Sequence, residues 1–341
     1  MKMISTVMKT DTGVTMRSNP LRTYKGISIG FGLLACLLVL GALLVPGFVS
    51  SQNARSILLL AAFLGLASTG QTLCALVGAL DLSIPYIIGG ANILLPSLMV
   101  AGLPAPLAML LVLLLGALVG ATNGALSFKL QGQALIMSLG VGFAAVGAVQ
   151  IYTSLGSQFG GTVFAPVPEW LRNISAFNGK FFGLPIPPVI VVWSVIAIAL
   201  SWLMHNTWFG RSIYAIGGSR TAAARLGISE FKVWTVIHSA SGAMSAITGM
   251  LLLGFSGGGF VGVGDPYLFT TVAAVVIGGT SLLGGAGGYG ATVLGVLVLT
   301  VLTSLLVGLG LSFPAQQAVV GLLIVPMVAI YARSPHIRNQ I

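Results

Sequence analysis

Residues 56–79 read SILLLAAFLGLASTGQTLCALVGA, with no Asp, Glu, Lys, Arg or His among them. A helix needs roughly 20 such residues to cross a hydrocarbon core about 30 Å thick, so this stretch makes lipid its solvent. Working outward, further apolar windows fall at 27–48, 83–101, 105–127, 134–153, 186–204, 234–255, 267–283, 290–310 and 315–331, about ten spans in all. The composition agrees: the 341 residues are 56% hydrophobic and 6% charged, against about 25% charged in soluble domains. The 47 glycines suit closely approaching membrane helices. The expected fold is an all-α integral membrane protein. Windows 83–101, which carries Pro85 and Pro96, and 267–283, which is short, can be broken or re-entrant elements that line protein or a cavity.

Basic residues set the direction. With the N-terminus inside, twelve of the fifteen Lys and Arg residues fall in cytoplasmic segments, and only Arg55, Arg172 and Lys180 fall outside. That bias, with an even number of spans, expects both N- and C-termini in the cytoplasm. The first window follows Lys2, Lys9, Arg17, Arg22 and Lys25. It exceeds the roughly 7–15 apolar residues of a signal peptide and lacks an Ala-x-Ala cleavage site, so it reads as a retained helix. The layout is a cytoplasmic tail 1–26, one transmembrane domain 27–331 and a cytoplasmic tail 332–341. An external loop at 154–185, turn-rich and holding Glu169, Trp170, Arg172 and Lys180, is expected to fold as a cap. The internal loop 205–233 contains a short helical pattern from Thr221 to Leu226.

The net charge of +10 does not point to nucleic acid, because the bases lie in short stretches between apolar windows with no aromatic-interleaved basic face. Cys36 and Cys74 sit inside apolar runs and offer neither a disulfide framework nor metal spacing. A repeat is hinted at. Val77-Gly78-Ala79-Leu80-Asp81 recurs as Val261-Gly262-Val263-Gly264-Asp265, at the inner end of the second window and the outer end of the seventh. An offset of five antiparallel helices is what an inverted repeat requires.

The acids are Asp11, Asp81, Glu169, Glu230 and Asp265. Ionisable groups at membrane depth face a bundle interior or water. Asp81, followed by Leu82 and Ser83, reads as a cap for the third window standing in interfacial water, or as a gate or pathway residue; the two roles are compatible. Gln71, Asn92, Asn123 and Gln150 lie within spans, where such residues bond between helices or offer neutral donors to a neutral solute. The candidate pathway or gate residues are Asp81, Ser83, Asn92, Asn123, Thr280 and Ser281. His238 reads as a satisfied helix-interface histidine. No phosphate loop, His-Glu-x-x-His helix or Gly-x-Ser-x-Gly elbow is present, and no row of membrane carboxylates.

Residues Gly210-Arg211-Ser212-Ile213-Tyr214-Ala215-Ile216-Gly217-Gly218, then Ala222-Ala223 and Gly227-Ile228, resemble without a gap the cytoplasmic loop of the permease subunits of ribose-type ABC sugar importers. Asp81-Leu82-Ser83, Asn123-Gly124, Ile136 with Ser138-Leu139-Gly140, Ala273 to Leu282 with Gly284-Gly285, and Gln316-Gln317 are similar to further segments of that family. The chain departs from it at Ser219, Arg220 and Thr221, at Pro85, and in lacking an acid before Ala273.

The resemblance implies a ten-helix permease, working in two copies with cytosolic ATPases and a periplasmic or extracellular solute-binding protein, in the inner membrane of a bacterium. ATP and Mg would be bound by the ATPase; this chain would carry no cofactor and catalyse no covalent step. Gly210, Arg211, Gly217, Gly218, Ala222, Ala223, Arg225, Gly227 and Ile228 would form the ATPase-coupling loop. The expected cargo is a monosaccharide or related polyol. The alternatives are branched-chain amino acids, nucleosides or a furanosyl signal on the same architecture, and, from another class, an autonomous ion-coupled carrier.

Overall fold

The computed structural model describes residues 20–130, 133–155 and 161–332. In chain order these form α1 (Pro20–Leu44), α2 (Ser51–Leu76), α3 (Ile84–Val100), α4 (Ala105–Lys129), α5 (Ala134–Ser154), β1 (Thr162–Val163), α6 (Glu169–Ser175), α7 (Pro188–Asn206), α8 (Trp208–Gly218), α9 (Arg220–Arg225), α10 (Glu230–Ser256), β2 (Gly259–Phe260), α11 (Tyr267–Ile277), α12 (Tyr289–Gly308) and α13 (Phe313–Ala332). Six of these, α2, α4, α5, α7, α10 and α12, are long and apolar enough to cross a membrane. Four shorter apolar helical segments, Ser28–Leu44, Ile84–Val100, Val261–Ile277 and Phe313–Leu323, accompany them.

The two windows singled out as irregular differ from their neighbours. Pro85 stands in the first turn of α3, where a missing N–H is harmless, whereas Pro96 lies inside the helix. With 11 residues, α11 is roughly 16 Å long, about half of a hydrocarbon core. Other boundaries moved. α1 starts at Pro20, inside what read as a tail to residue 26, and proline suits a first turn. The 205–233 loop is mostly helix: α8 was not expected, and α10 begins already at Glu230. Lys2, Lys9, Asp11 and Arg17, and the tail 333–341 with Arg333 and Arg338, lie outside the described residues.

Burial separates a centre from a rim. The apolar window of α2 is 89% buried, against 22% for α4 and 17% each for α5 and α7, so α2 is the axis of the bundle and the others leave large apolar side chains on its outer surface. α10 packs on α4 and α3, while α2 packs on α12 and α11. α3 meets α5 and α11 meets α13; α4 touches α5 and α12 touches α13. Most polar groups in the centre find partners, as a lipid solvent demands. The Tyr289 hydroxyl donates to the Gly65 carbonyl at 2.7 Å and accepts from the Trp193 indole at 3.0 Å, joining α12, α2 and α7. At one end of the bundle β1 pairs antiparallel with β2, and α6 lies on α10, so the 154–185 loop carries folded elements.

Candidate functional site

At the opposite end α8 and α9 form an elbow. Thr207 starts α8 by accepting from the Gly210 amide at 3.2 Å, and Ile213 and Ile216 bury its inner face against Leu73, Met204, Trp234 and Ile237. Burial pushes the Tyr214 hydroxyl above its usual range, keeping it a donor to the Gly287 carbonyl at 2.8 Å. Ser219 then caps α9, accepting from the Ala222 amide at 3.2 Å. The helix ends as the glycine pattern predicts. Gly227 has φ +75°, its amide donates to the Ala224 carbonyl, and the Ile228 amide donates to the Ala223 carbonyl, the paired bonds of a left-handed C-cap. Ala223 is buried, while Ala222, Arg225 and Leu226 are exposed, Leu226 at 75%.

The elbow sits on a backbone junction. The Gly285 amide donates to the Leu76 carbonyl at 2.9 Å, joining the end of α2 to the 278–288 loop. A Cβ at Gly217 would collide with the Leu76 carbonyl and the Gly285 nitrogen, so only glycine lets α8 approach this closely. Gly210 is likewise pressed against the Met204 carbonyl, Gly218 ends α8 in open space, and Arg211 near its start is exposed.

Seven residues separate this junction from α3, and Asp81 is among them. Its carboxylate is 1% exposed, not in interfacial water as the sequence alone suggested. Oδ1 accepts from the Ser83 amide at 3.0 Å, the Ser83 hydroxyl at 2.5 Å, Asn123 Nδ2 at 3.0 Å and the Ser138 hydroxyl at 3.1 Å. Oδ2 accepts from the Ser241 hydroxyl at 2.7 Å. Its bond to the Ser83 amide closes a turn ahead of α3, whose cap position is Ser83 itself with no side-chain cap bond, and the surroundings differ from interfacial water because α4, α5 and α10 each send a donor inward. A carboxylate with so many donors is solvated by protein instead of water.

The other candidates divide. Asn92 is a strut: its amide nitrogen donates to the Gly249 carbonyl at 3.0 Å and its oxygen accepts from the Phe260 amide at 2.8 Å. Thr280, buried, ties its own loop, accepting from the Gly288 amide at 3.2 Å, and Ser281 accepts from the Leu283 amide at 3.2 Å. Gln71 is the exception. It is fully buried on α2, and neither amide atom is bonded among the described residues. Sequence reading grouped it with the packing residues, and only the absence of a partner sets it apart. Ser138, quoted only within a resembling segment, and Ser241 were not candidates, since neither carried a signal that separated it from the other serines of the spans. Among the described residues no cluster of three His, Cys, Asp or Glu could hold a metal.

Helices of this length and apolarity, wrapped round a buried polar centre, define a multi-pass membrane protein. Residues 53–328 match the family described as "Branched-chain amino acid transport system / permease component", and the chain belongs to that family of ABC transporter permeases. It is similar to a probable ABC transporter permease protein of Escherichia coli K12, 35% identical over 87% of this chain and 86% of that one. A ribose import permease protein of Bacillus subtilis is 34% identical, over 86% and 89% of the two chains. An autoinducer 2 import system permease protein of Escherichia coli SMS-3-5 is 28% identical, over 81% and 82%. No solved structure matches the chain. The resemblance read at Gly210–Ile228 is borne out by these relatives.

Proposed function

We propose that the chain is the membrane permease subunit of an ATP-driven importer for a monosaccharide or related polyol, in the bacterial inner membrane. A solute-binding protein delivers the cargo outside, and two cytosolic ATPases, which bind ATP and Mg, drive a pair of permease copies. The observation that carries this reading is the α8–α9 elbow, an exposed short helix whose neighbour rests through Gly217 on the joint between α2 and the 278–288 loop. An ATPase pressing on Ala222, Arg225 and Leu226 would displace Ala223, Gly227 and Ile228 with them, and the push would enter the bundle at that joint.

About ten spans, both termini cytoplasmic, and cytoplasmic tails ahead of α1 and after α13 follow from this reading. So does an inverted repeat of α2–α5 with α10–α13, supported by equivalent neighbours under the exchange: α10 on α4 and α3 answers α2 on α12 and α11. Rocking of one repeat against the other would alternate access. Within the bundle, Asp81, Ser83 and Asn123 hold inner helix ends together, and Gln71, with both amide atoms unbonded among the described residues, is a residue free to meet a hydroxylated solute.

Reconstitution with the ATPase and binding protein encoded beside it tests the reading. Uptake of a labelled pentose that needs ATP and stops with vanadate is expected. Uptake by the permease alone, collapsing with an uncoupler, replaces the importer with an ion-coupled carrier. Amino-acid uptake without sugar uptake keeps the importer and changes its cargo.

A further inference from the structure

Arg220 occupies the part of the elbow where this chain departs from the loop it resembles. Its guanidinium lies 5.2 Å over the Trp234 ring, and Nε is 3.1 Å from Glu230 Oε1. Both partners belong to the first two turns of α10. An exposed ion pair alone is weak, and Glu230 Oε1 takes no hydrogen bond among the described residues; the face contact with Trp234 adds a stack that a lysine ammonium does not reproduce.

From Trp234 the contacts run on without a break. The Trp234 indole donates to Ser127 of α4 at 3.0 Å, and the ring stacks on His238 with centroids 5.4 Å apart and planes 22° apart. His238 Nδ1 lies 2.8 Å from the Trp234 carbonyl; a carbonyl only accepts, so that nitrogen carries the proton. The His238 carbonyl presses on α4 at Gly120 and its side chain at Gly124, where the glycines leave room. Three residues later Ser241 donates to Asp81 Oδ2 at 2.7 Å. Residues 230, 234, 238 and 241 share one face of α10. The elbow therefore reaches the 77–83 segment by two routes: α8 by its contact with Leu76, just before the segment, and α9 indirectly, through this face of α10 and Asp81.

We propose that Arg220 is a positioning residue that bolts α9 to the first turns of α10, so that movement of the elbow reaches Asp81 through Trp234, His238 and Ser241. The proposal rests on α9 being the helix an ATPase pushes. The bolt makes the elbow and the inner half of α10 one lever, and Asp81 reads its position. Coupling of this kind is reciprocal: what loosens Asp81 must loosen α9 by the same factor.

Amide hydrogen exchange on the purified full-length chain in lipid nanodiscs, with no ATPase present, tests it. Arg220→Ala should speed exchange of residues 219–228 and also of 77–83, by roughly tenfold in each. Arg220→Lys, which keeps the charge and loses the stack, should give a smaller effect in both places. Asp81→Asn should speed exchange of 77–83 and, reciprocally, of 219–228, and the double variant should add little to either single one. Faster exchange confined to 219–228 in both Arg220 variants, with 77–83 at its native rate, overturns the proposal, as does full additivity in the double variant. Because the readout needs no ATPase, failure here leaves the transport reading standing, and failed ATP-driven uptake leaves the bolt standing.

Discussion

Asp81 and Gln71 are both fully buried polar side chains near the axis of the bundle, yet they stand in opposite conditions. Asp81 accepts from four residues, so Asp81→Asn turns one acceptor into a donor facing donors. That variant should lose about 2–4 kcal/mol of stability, read as a lower unfolding midpoint in detergent. Gln71 has no partner among the described residues, so Gln71→Met removes an unpaired amide. It should raise the midpoint by an amount equivalent to about 1–3 kcal/mol and lower sugar uptake roughly tenfold, as loss of one cargo hydrogen bond would. A stabilised variant with unchanged uptake would remove Gln71 from the pathway. Neither condition was legible beforehand. The donors to Asp81 stand 42, 57 and 160 residues along the chain, and serines in apolar windows look alike until the helices are packed.

Elements were easier to read than side-chain environments, for a physical reason. A helix such as α9 is written locally: Ser219 ahead of it, three alanines within it and Gly227 after it determine both ends. Long apolar windows likewise declare α2, α4 and α12. The α8 helix went unseen because Arg211, Gly217 and Gly218 dilute its apolar face, although Thr207 was an available cap signal. The bases Arg22 and Lys25 disguised the start of α1 in the same way. Element geometry also decides what substitutions do. Gly217→Val pushes a side chain into the Leu76 carbonyl, and neither backbone can yield. Gly227→Val places a branched residue at φ +75°, at a cost of about 1–2 kcal/mol. Both variants should reach the membrane, and in reconstituted importer both should hydrolyse ATP while transporting at least tenfold less per ATP, with Gly217→Val the more severe. Normal transport ratios in both would take the elbow out of the coupling path.

For the whole molecule, the proposed orientation makes a claim that labelling can check. A single cysteine at position 172, in a chain with Cys36 and Cys74 replaced, should react with a membrane-impermeant maleimide added to spheroplasts. One at position 225 should react only after the membrane is opened. The reverse pattern would invert every inside and outside assignment made above. Fold class and family were legible because composition and one loop carried them. The compact centre around α2 was not, since burial of a helix that is apolar on all sides depends on which neighbours surround it.

The spread of donors around Asp81 also constrains how the protein is made. When α3 first meets the insertion machinery, Ser241 has not been translated. Ser241 lies 160 residues downstream, which is on the order of 10–30 s of synthesis at roughly 5–20 residues per second. For that interval the carboxylate waits beside hydrocarbon without the donor to its second oxygen. The early hairpin is then a provisional tenant of the bilayer, and its final seat is settled only when α10 emerges from the ribosome.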